Sequence, residues 1–265
     1  MPSGARSLFQ RLMPGSAKTP VALAPEGVVL YVVGDVHGRV DLLLGLLRKI
    51  AFDAARNETD TRRELIFLGD YVDRGPDSRG VIDLILSTEA ERDFWQVTAL
   101  KGNHEAALLQ FLDDPNFWPM WSEFGARETL LSYGVSPPVR GSDETDWLRA
   151  SRQLNEALPD DHRAFLQGLE LVADRGDYLC VHAGVRPGVP LDQQGEEDLL
   201  WIRDDFLRSE KRLSKVIVHG HTPSEEAYVG AHRIGVDTGA YATSVLTAIK
   251  LKDAEQTLIQ ARAGD

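Results

Sequence analysis

The hydrophobic positions of this chain fall into short, β-branched runs that each stop at a polar motif containing glycine. VVLYVV ends in GDVHG (34–38), and RVDLLLGLLRKIAF then takes up the 3.6-residue period of a helix. ELIFL leads into GDYVDRG (69–75), followed by the helical pattern DSRGVIDLILSTEAE. QVTAL leads into KGNHE (101–105), and EAALLQFL is again helical. This strand–motif–helix rhythm predicts parallel strands joined by crossover helices. In such sheets ligands gather outside the carboxyl ends of the strands. All three motifs lie there, so they are expected to converge.

The middle of the chain is less regular. DDPNFWPMWSEFGARETLLSYG mixes proline and tryptophan before a short helix, and VSPPVRGSDETD is a loop by composition. Helices are expected around 147–158 and 160–168. ELVAD and DYLCV then read as a hairpin, followed by the strands VIVHGHT, HRIGVDTG, VLTAIKL and TLIQARA, with one helix around EEDLLWIRDDFL. Half the strand material is thus βαβ and half is expected to be antiparallel. The fold class that fits is α/β, a two-sheet mixed β-sandwich flanked by helices. Residues 1–27 read as a flexible basic tail and 28–265 as a single catalytic domain.

Composition narrows the choice of partners. The 265 residues carry a net charge of −12 and a pI near 5.1, which argues against a nucleic-acid surface. No apolar run is long enough to span a bilayer. Arg11 interrupts the apolar stretch near the start, so no signal-peptide core is expected there. The single cysteine, Cys180, excludes an intramolecular disulfide and a thiolate zinc site, and suits a reducing, cytoplasmic setting. Its apolar strand makes it a core residue.

The chemistry lies in the motifs. Asp70 and Asp73 stand three positions apart after an apolar strand, where repulsion and desolvation both cost free energy unless cations sit there. Five of the seven histidines occupy glycine-containing motifs: His37, His104, His182, His219 and His221. Asp35 and Asn103 lie beside them. Carboxylate, imidazole and amide donors without sulfur suit Mn, Fe, Zn or Ni. The donors outnumber what one ion takes; a pair of ions about 3.5–4 Å apart, bridged by a carboxylate and a hydroxide, uses them all. His221 is the expected ligand of VHGHT, with His219 behind it as a supporting candidate. Asp237 reads as a turn residue. His162 and His232 lie outside the motifs and are expected to be solvated. Trp118, Trp121 and Phe124 fit either core packing or a rim that selects substrates.

GDVHG, GDYVDRG, GNHE, HAG and GHT follow one another from Gly34 to about Gly239. In this order they resemble the phosphoprotein phosphatase branch of the calcineurin-like metallophosphoesterases, and are most similar to bacterial and bacteriophage serine/threonine protein phosphatases. The resemblance implies that Asp35, His37 and His221 hold one ion, Asn103 and His182 the other, and that Asp70 bridges them. It implies that Arg74 binds phosphate together with Arg203 of LLWIRDDF, that Asn103 also touches substrate, and that His104 is the general acid oriented by Asp73. Two divalent ions, foremost Mn²⁺, and a phosphorylated protein or peptide substrate follow from it. The implied reaction is hydrolysis of phosphoserine or phosphothreonine by a metal-bridging hydroxide. Counting two dications, the hydroxide, Asp35, Asp70, Asp73, Arg74 and Arg203 leaves the centre at about +2, so an acidic chain can still hold a phosphate dianion. A symmetrical bis(5'-nucleosyl)-tetraphosphate hydrolase would share the fold. That group usually lacks the second aspartate of the middle motif and ends the third in Asp; Asp73 and Glu105 therefore favour the phosphatase. A catalytically dead scaffold is disfavoured because no expected catalytic position is lost.

Overall fold

The computed structural model describes residues 21–56, 61–90 and 95–265. Residues 1–20 of the expected tail lie outside them. Residues 21–27 are described, and the backbone N–H groups of Leu23 and Ala24 donate to Asp177 and Asp253.

The first three repeats fold as their pattern predicts. β1 (Val28–Val33), β2 (Arg62–Phe67) and β3 (Trp95–Ala99) are adjacent and parallel. α1 (Val40–Ala54) and α2 (Ser78–Ala90) are the crossovers, and α3 (Asn103–Asp113) leaves β3. The helical cover of this sheet continues in α4 (Trp118–Ser122), α5 (Ala126–Ser132), α6 (Glu144–Ala157) and α7 (Asp160–Gly168).

A second sheet holds β4 (Val172–Arg175) and β5 (Tyr178–Val181), a hairpin. After α8 (Glu196–Trp201) and α9 (Asp204–Leu207) come β6 (Val216–His219), β7 (Tyr228–Val229) and β8 (Arg233–Gly235). α10 (Ala240–Thr243) leads to β9 (Val245–Lys252) and β10 (Glu255–Arg262). The two five-stranded sheets run β10-β9-β1-β2-β3 and β4-β5-β6-β8-β7.

Alternation along β1 explains the layering. Val29, Tyr31 and Val33 enter the core beneath the helices, while Val28, Leu30 and Val32 enter a core between the sheets. Across the second sheet, Tyr178 and Cys180 face inward, whereas Leu179, Val181 and Ile217 pack on Leu199, Ile202 and Phe206 of the α8–α9 segment. Helix, sheet, sheet and helix therefore stack in four layers, the expected sandwich. A fully buried Val or Leu contributes about 1.5–3 kcal/mol. All six residues of β1 are buried, so the strand is fixed from both faces and its end is a rigid mount for Asp35 and His37.

Three expectations change. The later strands do not form one antiparallel block: β5, β6 and β8 are parallel, while β9 and β10 return to the first sheet. The β5–β6 connection carries the short helices α8 and α9, so the helical segment expected there is a crossover between parallel strands. The helix expected around EEDLLWIRDDFL is broken at Ile202 and Arg203, which lets Ile202 bury while Arg203 turns toward Thr222. His162 is fully buried rather than solvated; Tyr133 Oη and Asp83 Oδ1 lie 2.8 and 2.9 Å from its two ring nitrogens. His232 is exposed, as expected.

Candidate active site

Each motif turns sharply as it leaves its strand. His37, Asp70, Asp73, Arg74 and His221 all have positive φ, between 46° and 70°. Non-glycine residues adopt this conformation at a cost that the surrounding structure must offset, and such residues cluster at functional sites. Two glycines allow the close approach: a Cβ on Gly102 would lie 2.2 Å from Asp70 Oδ1, and one on Gly220 would lie even nearer Asp35 Oδ1.

These turns bring the expected residues of five strand ends together. His37 Nε2 and His182 Nε2 lie 3.5 and 3.4 Å from the two oxygens of Asp70. Asn103 Oδ1 is 2.9 Å from both His182 Nε2 and His221 Nδ1. The His221 backbone N–H donates to Asp35 Oδ2 at 2.9 Å. Asp35, His37, Asp70, Asn103, His182 and His221 are all buried. His221 differs from its implied grouping: it stands beside Asn103 and His182, because the left-handed turn after Gly220 swings its ring toward them. His219 faces away from the cluster, over the opposite side of its sheet, where Phe206 packs on it edge-on at 5.1 Å.

The residues fit divalent ions. Two groups of donors, His37–Asp70–His104 and Asp70–His182–His221, each have their ligand atoms within 4.8 Å of one another, and Asp70 belongs to both. His37 and His182 each direct Nδ1 at a backbone carbonyl, of Val72 and Leu68, which leaves Nε2 with its lone pair toward Asp70. Arg74 NH1 donates to His37 Nε2 at 3.1 Å, which fixes the same tautomer. Burial holds these imidazoles neutral, the ligating form: His37 is lowered to about 3 and His221 to about 2, and His182 is lowered too. Asp35 is raised well above the usual carboxylate range by burial and by Asp237 and Asp70. Asp35 Oδ1 and His221 Nε2 are buried without a hydrogen-bond partner among the described residues. Crowded carboxylates and orphaned donors call for cations.

Beside the cluster, His104 Nδ1 lies 2.7 Å from Asp73 Oδ2. Burial alone would lower His104, but Asp70 and Asp73 outweigh it and raise the imidazole above its ordinary value. Asp73 is held in place by Trp121 Nε1 at 2.9 Å and Thr129 Oγ1 at 2.6 Å. The aromatic segment therefore divides: Trp118 and Trp121 are buried core residues, whereas Phe124 packs 5.7 Å from His104 and 5.6 Å from Trp201 at the mouth of the site. Arg74 lies at the same mouth, 4.7 Å over the Tyr241 ring. Arg203 is exposed, with NH1 3.4 Å from Thr222 Oγ1, and its charge helps lower His182 and His221.

Some contributors carried no mark of their role in the sequence. The buried Glu105 carboxylate accepts from the backbone N–H groups of Asp70, Tyr71, Val72 and Gly102, tying the second motif to the third. Its place in GNHE was the available signal. Trp121, Thr129 and Tyr241 reach the site from segments without a motif. Asp237 accepts from Gly239 N–H, as a turn residue does, and also bears on Asp35; burial raises it to about 6.

A buried aspartate shared by two imidazole-rich groups, flanked by arginines and an Asp–His pair, defines the class: a metal-dependent phosphoesterase. The calcineurin-like phosphoesterase family matches residues 28–247, and the chain belongs to that family. Serine/threonine-protein phosphatase 2 of Escherichia coli (strain K12) is 28% identical over 240 residues, 84% of this chain and 93% of the relative. The asymmetrical bis(5'-nucleosyl)-tetraphosphatase PrpE of Anoxybacillus flavithermus is 24% identical over 248 residues, 86% of this chain and 92% of the relative. Among solved structures, one provisionally named a diadenosine tetraphosphatase matches with a TM-score of 0.62 at 20% identity, covering 92% of this chain and 98% of that one. It shares the fold. No helix among the described residues is long and apolar enough to cross a membrane.

Proposed function

We propose that the chain is a metal-dependent phosphomonoesterase that removes phosphate from phosphoserine and phosphothreonine side chains of proteins. The observation that carries this reading is the buried His104–Asp73 pair, with its raised imidazole. A serine alkoxide is a poor leaving group and needs a proton as the ester bond breaks.

In this reading Asp35, His37 and Asp70 would hold one divalent ion, and Asp70, Asn103, His182 and His221 would hold the other, with Mn²⁺ favoured by the oxygen and imidazole donors. When bound, such a pair supplies positive charge and a water ionised near neutral pH as the nucleophile. The protein does the rest. Arg74 and Arg203 bind the non-bridging phosphoryl oxygens with their planar forks, and Asn103 meets the phosphate from the side of His182. As the oxygen of water bonds to phosphorus, the bond from phosphorus to the serine oxygen breaks. His104 Nε2–H protonates that departing oxygen, while Asp73 accepts from Nδ1–H and keeps the proton on the correct side of the ring. Phe124 and Trp201 wall the leaving-group side from water. The reduced, buried Cys180 thiol, pushed up to about 12 by its burial, suits the cytoplasm.

The relatives named asymmetrical tetraphosphatases favour a second reading, hydrolysis of a dinucleoside tetraphosphate. It departs from the symmetrical cleavage weighed from the motifs. A polyphosphate leaving group is already a stabilised anion, so it makes little use of a dedicated proton donor. Metal-loaded protein assayed against a phosphoserine peptide and diadenosine tetraphosphate separates the two. The peptide is expected to be the better substrate. A kcat/KM tenfold higher for the tetraphosphate than for every phosphopeptide tried would establish the nucleotide reading instead.

A further inference from the structure

Behind the VHGHT loop, on the outer face of the second sheet, a cavity of about 180 Å³ opens between the segment following α9 and the β7–β8 hairpin. Phe206, Lys211, Leu213, Tyr228, His232 and Arg233 contribute to its lining. Among the described residues no aspartate or glutamate does, although the chain carries a net charge of −12. A cationic hollow on an acidic protein is a departure that needs a cause.

Among the described residues Arg233 is held in place without a counter-charge. Its guanidinium lies 3.9 Å over the Tyr228 ring, and NH1 stands 3.4 Å from His219 Nε2. Arginine only donates, so His219 Nε2 accepts and Nδ1 bears the proton, directed at Gly220 O 3.1 Å away. Phe206 packs on this imidazole, and Gly235 makes room for it: an added Cβ there would lie 3.2 Å from the ring. His219 is thus a positioning residue for Arg233. Among the described residues no carboxylate pairs with Arg233 or with Lys211, whose Nζ reaches only Pro187 O at 3.5 Å. Burial lowers the Arg233 guanidinium from its ordinary value, opposed only by Tyr228. An anion arriving at the cavity would recover part of that desolvation cost.

We propose that this cavity is a second ligand site, separate from the catalytic centre, for a small phosphorylated molecule with a ring or other apolar body. The phosphoryl oxygens meet the Arg233 fork and the Lys211 ammonium. The apolar body lies against Phe206, Leu207 and Leu213. The volume admits a phosphoryl group with a single ring.

The test uses metal-loaded protein and phenylphosphonate, which carries both the ring and the oxyanion but no hydrolysable ester. Calorimetric titration is expected to give two sites per chain, one of them the catalytic centre. Arg233→Gln should weaken one site at least tenfold while leaving the other site, and kcat on nitrophenyl phosphate, unchanged. Arg74→Gln should spare the site that Arg233→Gln weakens. Lys211→Glu lies on an exposed segment outside the His219–Arg233 contact, so it leaves the sheet undisturbed. It should weaken the same site at least tenfold. Methylphosphonate, which lacks the ring, should bind that site at least tenfold more weakly than phenylphosphonate. A single site in the wild type, or a second site that survives both Arg233→Gln and Lys211→Glu, overturns the proposal.

Discussion

Replacing Asp73 by Asn separates charge from geometry at the proposed acid. The carboxylate accepts from His104 and Trp121 through Oδ2 and from Thr129 through Oδ1. An amide whose oxygen faces His104 and Trp121 keeps two of these bonds, and its NH₂ can donate to the Thr129 hydroxyl oxygen. The fold therefore survives Asp73→Asn, and only the negative charge is lost. At an effective dielectric of 20, unit charges about 4 Å apart interact by about 4 kcal/mol, and 1.36 kcal/mol corresponds to tenfold in rate. Partial screening by the rest of the centre leaves an expected loss of about 10²- to 10³-fold in kcat/KM on a phosphoserine peptide. Nitrophenolate departs with little help, so nitrophenyl phosphate should lose less than about tenfold. The pH profile supplies a second reading of the same change. Asp73 is one of the groups that raise His104 against the effect of burial. Without it the imidazolium gives up its proton at lower pH, and the basic limb of kcat moves to lower pH. Metal content, measured by elemental analysis, should match the wild type. Equal losses on both substrates with an unmoved basic limb would refute the reasoning and leave Asp73 as a structural anchor.

Chelation should abolish hydrolysis, with Mn²⁺ restoring it best. Asp70→Asn should reduce activity more than His219→Gln, because Asp70 belongs to both donor groups and His219 to neither. Gly220→Ala drives a methyl group into Asp35 Oδ1; metal affinity should fall by about 10- to 100-fold, read by metal titration, while circular dichroism stays native. Far from the site, the fully buried Glu64 accepts from the Arg175 fork: Nε lies 2.7 and 2.8 Å from its two oxygens and NH2 2.5 Å from Oε1. Arg175→Met strands that carboxylate with the Thr98 hydroxyl alone, and urea unfolding should register a loss of roughly 3 kcal/mol.

The centre was legible in the sequence where its chemistry is local. Each motif is a strand end, so ligand type and glycine, and in GDVHG, GDYVDRG and GHT the left-handed backbone, are written within a few adjacent residues. β1, β2, β3 and their crossovers were legible for the same reason, since a short apolar run gives way to a 3.6-residue period after each motif. What the sequence hid is carried by distant segments. Parallel pairing of β5 with β6 makes the EEDLLWIRDDFL segment a crossover, and a helical pattern there does not say which strands it joins. His162 looks solvated in the polar run DDHRAF, and it is buried because Tyr133 and Asp83 meet both of its nitrogens.

The two aspartates of GDYVDRG show the limit most clearly, because they look alike in sequence and have similar left-handed backbones, with φ of 52° and 70°. What separates them is the set of groups each one faces. Asp70 lies among the Nε2 atoms of His37 and His182, nitrogens that can lend lone pairs to a cation. Asp73 is surrounded by donors: Trp121 and Thr129 reach it from 48 and 56 positions further along the chain, and together with His104 they occupy both of its oxygens. A carboxylate already engaged by three donors has little capacity left for an ion, and it is well placed to hold an imidazolium. Spacing alone cannot encode that difference, since the partners that create it come from α4 and α5. The proposed assignment of ligand to Asp70 and of orienting base to Asp73 therefore rests on the packing of the helical layer against the first sheet.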